Sequence, residues 1–139
     1  NVEIKAAVVM EDEREGGVRA HLNFGHTFGH AIESTVGYGA ILHGEAVGLG
    51  MLAAARAAAE FGLCSSELPG TIAELLSAIG LPIRADLPDN RSLGRAMRHD
   101  KKVENDLIRF VLPRALGQVE IRDDLPDTCV DAGWEFIRA

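Results

Sequence analysis

The sequence predicts a mainly α-helical domain that carries one small β-hairpin. Apolar residues recur at helical spacing along most of the 139 residues. Strict alternation is confined to two short stretches, 107–112 and 118–121. Alanine is abundant and aromatic residues make up only 5%, which favours closely packed helices over a sandwich or barrel.

Residues 2–10 show apolar positions broken by Glu3 and Lys5, a helical pattern. The charged run 11–17 ends in Gly16 and Gly17 and reads as a solvated loop. Helical pattern resumes over 19–35 and is broken by Gly37, Tyr38 and Gly39. His43 then precedes a strong helix over 45–61 that Gly62 stops. Gly44, Gly48 and the alanines of that helix would let another backbone approach closely.

Ser65 or Ser66 is the expected cap of a helix running to Ile79, with Gly80, Leu81 and Pro82 as its stop. Ser92 is the expected cap of a helix through Met97 towards Lys101. The two alternating stretches form a hairpin around 113–117, and the tail 127–138 is helical. No internal repeat or low-complexity linker interrupts the pattern, so the chain is one domain by size.

The formal net charge of -7 argues against a nucleic-acid or membrane-surface partner, since both need a basic face. Cys64 and Cys129 are too few for a disulfide framework and lack zinc-motif spacing, so reduced thiols in a cytoplasmic protein are expected. No signal peptide or membrane-spanning run is visible, because the longest apolar tract is Ala- and Gly-rich and holds Arg56. The chain opens at Asn1 directly in a helical pattern, which predicts a piece of a longer protein.

Four of the five histidines fall within residues 21–43. His26 and His30 are four apart, which on a helix puts both imidazoles on one face. His43 can return to them if the chain turns back at 37–39. Gly25 and Gly29 on the same turns would each cost about 1 kcal/mol in a helix interior, so a ligand or another backbone must need close access there. Neutral ring nitrogens so grouped suit a metal ion and proton transfer.

Three histidines, or two with a carboxylate, make a catalytic zinc site, and spacing alone does not choose between them. Glu33 and Glu45 are the nearby carboxylates. Glu33 reads as a ligand, an orienting partner or helix surface, the last two being favoured. Arg19, Asn23, His26 and His30 would form one stripe if their helix is continuous. Arg binds carboxylate or phosphate bidentately, Asn donates to an oxygen, and Lys5 and Lys101 add point charges. Together they describe a pocket for an anionic, oxygen-rich small molecule beside a metal.

The motifs Lys5, 12–17 (DEREGG), Arg19, 22–33 (LNFGHTFGHAIE), 42–47 (LHGEAV), 80–82 (GLP), 100–102 (DKK), 110–113 (FVLP) and 116–117 (LG) closely resemble the C-terminal domain of the 3-dehydroquinate synthase family. The resemblance runs over essentially the whole chain, with no departure at these positions. It implies a helical metal- and substrate-binding domain of the dehydroquinate synthase-like fold spanning 1–139, part of a two-domain enzyme.

The reaction implied converts 3-deoxy-D-arabino-heptulosonate 7-phosphate to 3-dehydroquinate plus phosphate, in the shikimate pathway, with NAD and a zinc or cobalt ion. By the same resemblance His26 and His43 are metal ligands and His30 shuttles protons. Arg19, Asn23, Lys5 and Lys101 clamp the sugar-phosphate substrate, and Glu15 is an acid/base group. The family's third metal ligand, a glutamate, and its Rossmann-like NAD-binding domain have no counterpart in this sequence, which has no G-x-G-x-x-G run. The chain alone is therefore expected to be inactive, with NAD held by the absent N-terminal domain and the full enzyme a homodimer.

Two other readings compete. A metal-dependent polyol or alcohol dehydrogenase shares paired histidines but needs no anion clamp. A non-catalytic helical interaction module explains the Ala/Gly-rich helix but not the polar stripe. Other sugar-phosphate cyclases change the anion-contacting positions that are complete here.

Overall fold

The computed structural model describes residues 24–36, 41–100 and 108–139. The helix expected over 2–10, the loop at 11–17 and the break at 37–39 lie outside them. Among the described residues there are helices α1 (His26–Val36), α2 (His43–Phe61), α3 (Leu68–Ala78), α4 (Asn90–Asp100) and α5 (Asp127–Ile137), with strands β1 (Phe110–Ala115) and β2 (Gln118–Arg122) between α4 and α5. The mainly helical architecture with one antiparallel hairpin is the one predicted.

Helix α2 is the centre of the domain and touches α1, α3, α5 and β1. Its residues from Ala46 to Ala55 are all buried. A helix that is apolar all round must be covered on every side, and the small side chains let its neighbours come close. A Cβ on Gly133 of α5 would lie 2.5 Å from the carbonyl oxygen of Ala53, so these two backbones are in direct contact. Around α2 the core closes with Phe28, Ile32, Leu76, Leu93, Leu112, Trp134 and Ile137, each at most 1% exposed. Phe28 sits edge-on to Trp134 at 4.9 Å and against Phe110 at 5.4 Å, joining α1, α5 and β1.

Several boundaries differ from expectation for identifiable reasons. Within the described residues, the expected helix over 19–35 is interrupted before His26: Phe24 and Gly25 form a turn, and Gly25 has φ +83°. A right-handed helix cannot run through that conformation. Helix α2 starts at His43, two residues earlier than predicted. There the Glu45 carboxylate accepts the Leu42 backbone N–H at 3.0 Å, the return half of a capping box.

Ser65 and Ser66 do not cap α3. They lie in a preceding turn, and the helix begins after Glu67 with Pro69 in its first turn. Ser92 likewise is not a cap. Its amide instead donates to the Asp89 carboxylate at 2.7 Å, so Asp89 caps α4.

The hairpin turns over Leu116 and Gly117 alone, tighter than the five-residue loop expected. Gly117 takes φ +79°, and Pro113 lies inside β1 opposite Val119, next to a register shift. A two-stranded sheet has only edge strands, which is where a proline is tolerated. The C-terminal helix matches its predicted bounds to within one residue. Beyond it the backbone pairs in parallel with Ala85, and the Arg138 guanidinium donates to the carbonyls of Leu87 and Pro88 at 3.0 and 2.7 Å. Nothing in the sequence signals that closure, because its acceptors are backbone atoms fifty residues away.

Candidate functional site

The site forms where the first half of α1 meets the start of α2. Gly29 allows it: a Cβ there would lie 3.1 Å from the Ala46 carbonyl oxygen. Gly50 is tighter still, since its Cβ would lie 2.0 Å from the carbonyl oxygen of Gly25. The close access inferred from the paired glycines is thus backbone against backbone. It brings the N-terminal ends of α1 and α2 together, and with them the histidines each carries.

His26 and His30 stack with ring centroids 5.5 Å apart and planes inclined by 29°. His43, the first residue of α2, lies 6.0 Å from His26 and 6.4 Å from His30, centroid to centroid. Two imidazoles sharing one tetrahedral ion have centroids about 5 Å apart, given bonds of roughly 2.0 Å to each nitrogen. The triangle is slightly wider than that. His26 and His30 are half-buried, and the His43 side chain is 58% exposed.

Thr27, between the first two histidines, is buried and donates its hydroxyl to the Arg109 carbonyl at 3.4 Å, which ties α1 to the start of the hairpin. Glu33 extends one carboxylate oxygen to within 2.7 Å of His43 Nδ1. Glu45 is turned away to its capping bond.

The structure therefore gathers His26, His30 and His43, as the sequence predicts. Lys5, Glu15, Arg19, Asn23 and Lys101 lie outside the described residues. The stripe expected for Arg19, Asn23, His26 and His30 therefore falls partly outside the described residues; within them, Gly25 at φ +83° interrupts the helix just before His26. The sequence favours Glu33 as an orienting partner or helix surface; that its partner is His43 was not legible, since the two residues sit on different helices.

Among the described residues, no group of three or more His, Cys, Asp and Glu side chains is arranged to hold a metal ion. The donor chemistry of the two half-buried histidines and exposed His43 nonetheless fits a borderline divalent ion, which favours neutral imidazole nitrogen. Both cysteines are free; burial pushes the thiols of Cys64 and Cys129 up, which keeps them protonated. Two further concavities, of about 410 and 190 Å³, lie along α4 and α5 and contain none of these histidines.

A family model described as 3-dehydroquinate synthase C-terminal matches residues 1–103. The chain belongs to that family. Proteins named 3-dehydroquinate synthase resemble it along nearly its whole length. One from Nitratiruptor sp. is 46% identical over 139 residues, covering 99% of this chain and 40% of that protein. One from Desulforamulus reducens is 53% identical over 129 residues, covering 89% of this chain and 35% of the relative. The chain thus spans well under half the length of these relatives, all of which are named as enzymes.

Among solved structures, a 2-epi-5-epi-valiolone synthase from Streptomyces hygroscopicus subsp. jinggangensis 5008, with NAD+ and Zn2+ bound, superposes with a TM-score of 0.73 at 22% identity. It covers 84% of this chain and 32% of that structure, and shows a shared fold. A 2-deoxy-scyllo-inosose synthase complexed with carbaglucose-6-phosphate, NAD+ and Co2+ superposes with a TM-score of 0.65 at 27% identity, over 80% of this chain and 33% of that one. No helix among the described residues is long and apolar enough to cross a membrane.

Proposed function

We propose that this chain is the metal- and substrate-binding portion of a cytoplasmic 3-dehydroquinate synthase. The enzyme would convert 3-deoxy-D-arabino-heptulosonate 7-phosphate to 3-dehydroquinate and phosphate in the shikimate pathway. The observation that carries this reading is the convergence of His26, His30 and His43 from two helices within the matched family region. The substrate choice is supported by the 46% and 53% identity to 3-dehydroquinate synthases, against 22% and 27% for the cyclases of other sugars. The dehydrogenase and interaction-module readings have no comparable support.

In this reading His26 and His43 hold a zinc or cobalt ion, completed by a ligand from the remainder of the longer enzyme. His30, stacked on His26, takes and returns protons at the bound sugar. Arg19, Asn23, Lys5 and Lys101 clamp the carboxylate and phosphate, and Glu15 serves as a further acid/base group. NAD and the metal, when bound, supply reversible hydride transfer and polarisation of the sugar oxygens. NAD is held mainly by the N-terminal domain, the assembled enzyme is a homodimer, and the present 139 residues alone are inactive.

The test is a chimera in which this chain replaces the matching 139-residue stretch of the Nitratiruptor enzyme. Phosphate release from the heptulosonate phosphate should persist. It should fall at least about 100-fold with His30→Asn, the usual scale for losing a general acid–base group. A folded, NAD-binding chimera that releases no phosphate contradicts the assignment.

A further inference from the structure

We infer that Glu33 is a positioning residue that fixes the tautomer of His43. A carboxylate only accepts hydrogen bonds, so the 2.7 Å contact between Glu33 Oε1 and His43 Nδ1 requires the proton on Nδ1. The other ring nitrogen, Nε2, then keeps its lone pair for a ligand. The two partners are unequal in a way that gives the direction of control. The Glu33 side chain is 19% exposed and stands on α1, which is locked against α2 by the Gly29 contact. The His43 ring is 58% exposed at the first position of α2, where little else holds it. The carboxylate is the fixed element, and the imidazole is aimed by it.

Glu45, the other carboxylate near the start of α2, is engaged with the Leu42 amide. Glu33 is thus the acidic group that reaches this ring among the described residues. Metal-ligating histidines commonly donate their second nitrogen to such a partner, and losing the partner costs about 10- to 100-fold in metal affinity. The proposal rests on the reading of His43 as a metal ligand.

The decisive experiment is a long-range 1H–15N correlation spectrum of the 15N-labelled protein at about pH 8.5, where an ordinary imidazole is neutral. His43 is assigned by its loss in His43→Gln. The Nδ1–H tautomer is expected in the wild type and in Glu33→Gln, whose amide oxygen still accepts, with a shift to mainly Nε2–H in Glu33→Ala. A wild-type ring in the Nε2–H form, or one still protonated on both nitrogens, overturns the proposal without any variant.

Titration with Co2+ followed in the visible range adds the second readout. Glu33→Ala should weaken binding about 10- to 100-fold while Glu33→Gln loses much less. Loss of binding in Glu33→Gln as complete as in His43→Ala makes Glu33 a ligand and overturns the positioning role. Unchanged affinity in Glu33→Ala with loss in His43→Ala overturns it equally. Unchanged affinity in both removes the ligand reading of His43 and the proposal with it.

Discussion

Gly50 lies where α1 crosses α2, with the Gly25 carbonyl where its side chain would be. Gly50→Ala forces the two backbones apart, and overpacking of this kind costs about 1–3 kcal/mol. With an oxygen only 2.0 Å from the new carbon, a loss at the upper end, ~3 kcal/mol, is expected in denaturant unfolding. Gly70 on α3 meets nothing within 4 Å, so Gly70→Ala should instead gain about 0.5–1 kcal/mol from helix propensity. A Gly50→Ala protein as stable as wild type would mean that the helices carrying the histidines are not locked as described. The identity of the histidines as a group was legible from their spacing. The close access at the glycines beside them was legible too, but not that a backbone rather than a ligand takes it, because Gly25 and Gly29 touch residues of α2 about twenty positions away.

At the level of elements, the hairpin is held by charge as well as by its backbone ladder. Arg122 donates to Glu120 and Asp124 at 2.7–2.9 Å, Arg114 donates to Glu120 at 2.8 Å, and the Arg122 guanidinium lies 5.3 Å from the Phe61 ring at the end of α2. The Arg122 bonds, with help from Arg114, hold the Glu120 carboxyl below its usual range, and Arg122 does the same to Asp124. The bond to the Ser92 amide lowers Asp89.

Groups lowered on folding stabilise the fold above their unfolded pKa of about 4, and that contribution disappears as pH falls through the lower folded value. Melting temperature should therefore be level from neutral pH down to about 5 and then drop. The gap between wild type and Arg122→Ala should close over the same acid range, and shrink in high salt because these groups are exposed. A gap independent of pH would mean Arg122 acts through its packing on Phe61 alone. Helix identities and the hairpin were readable from periodicity. The cap at Ser92 was misassigned because Asp89 stood three residues earlier and accepts its amide, and α3 begins after Ser65 and Ser66 with no side-chain cap at all.

For the whole molecule, the family and the mainly helical architecture were both legible, since the motifs are dense and alanine-rich helices pack in few ways. The closing contacts of Arg138 with the 87–90 segment were not, being long-range bonds to backbone and amide oxygens. The helical continuity expected up to His26 is interrupted at a single residue, Gly25, whose turn conformation no helical periodicity reveals.

The central proposal is that this chain carries two ligands of a metal site completed elsewhere in a longer enzyme. Calorimetric titration of zinc into the wild-type chain, His26→Ala and His43→Ala tests it most directly. Binding well short of the ~10–16 kcal/mol of complete structural zinc sites, and lost in both variants, is expected. Tight binding of one zinc per chain, or binding that neither substitution alters, would contradict it.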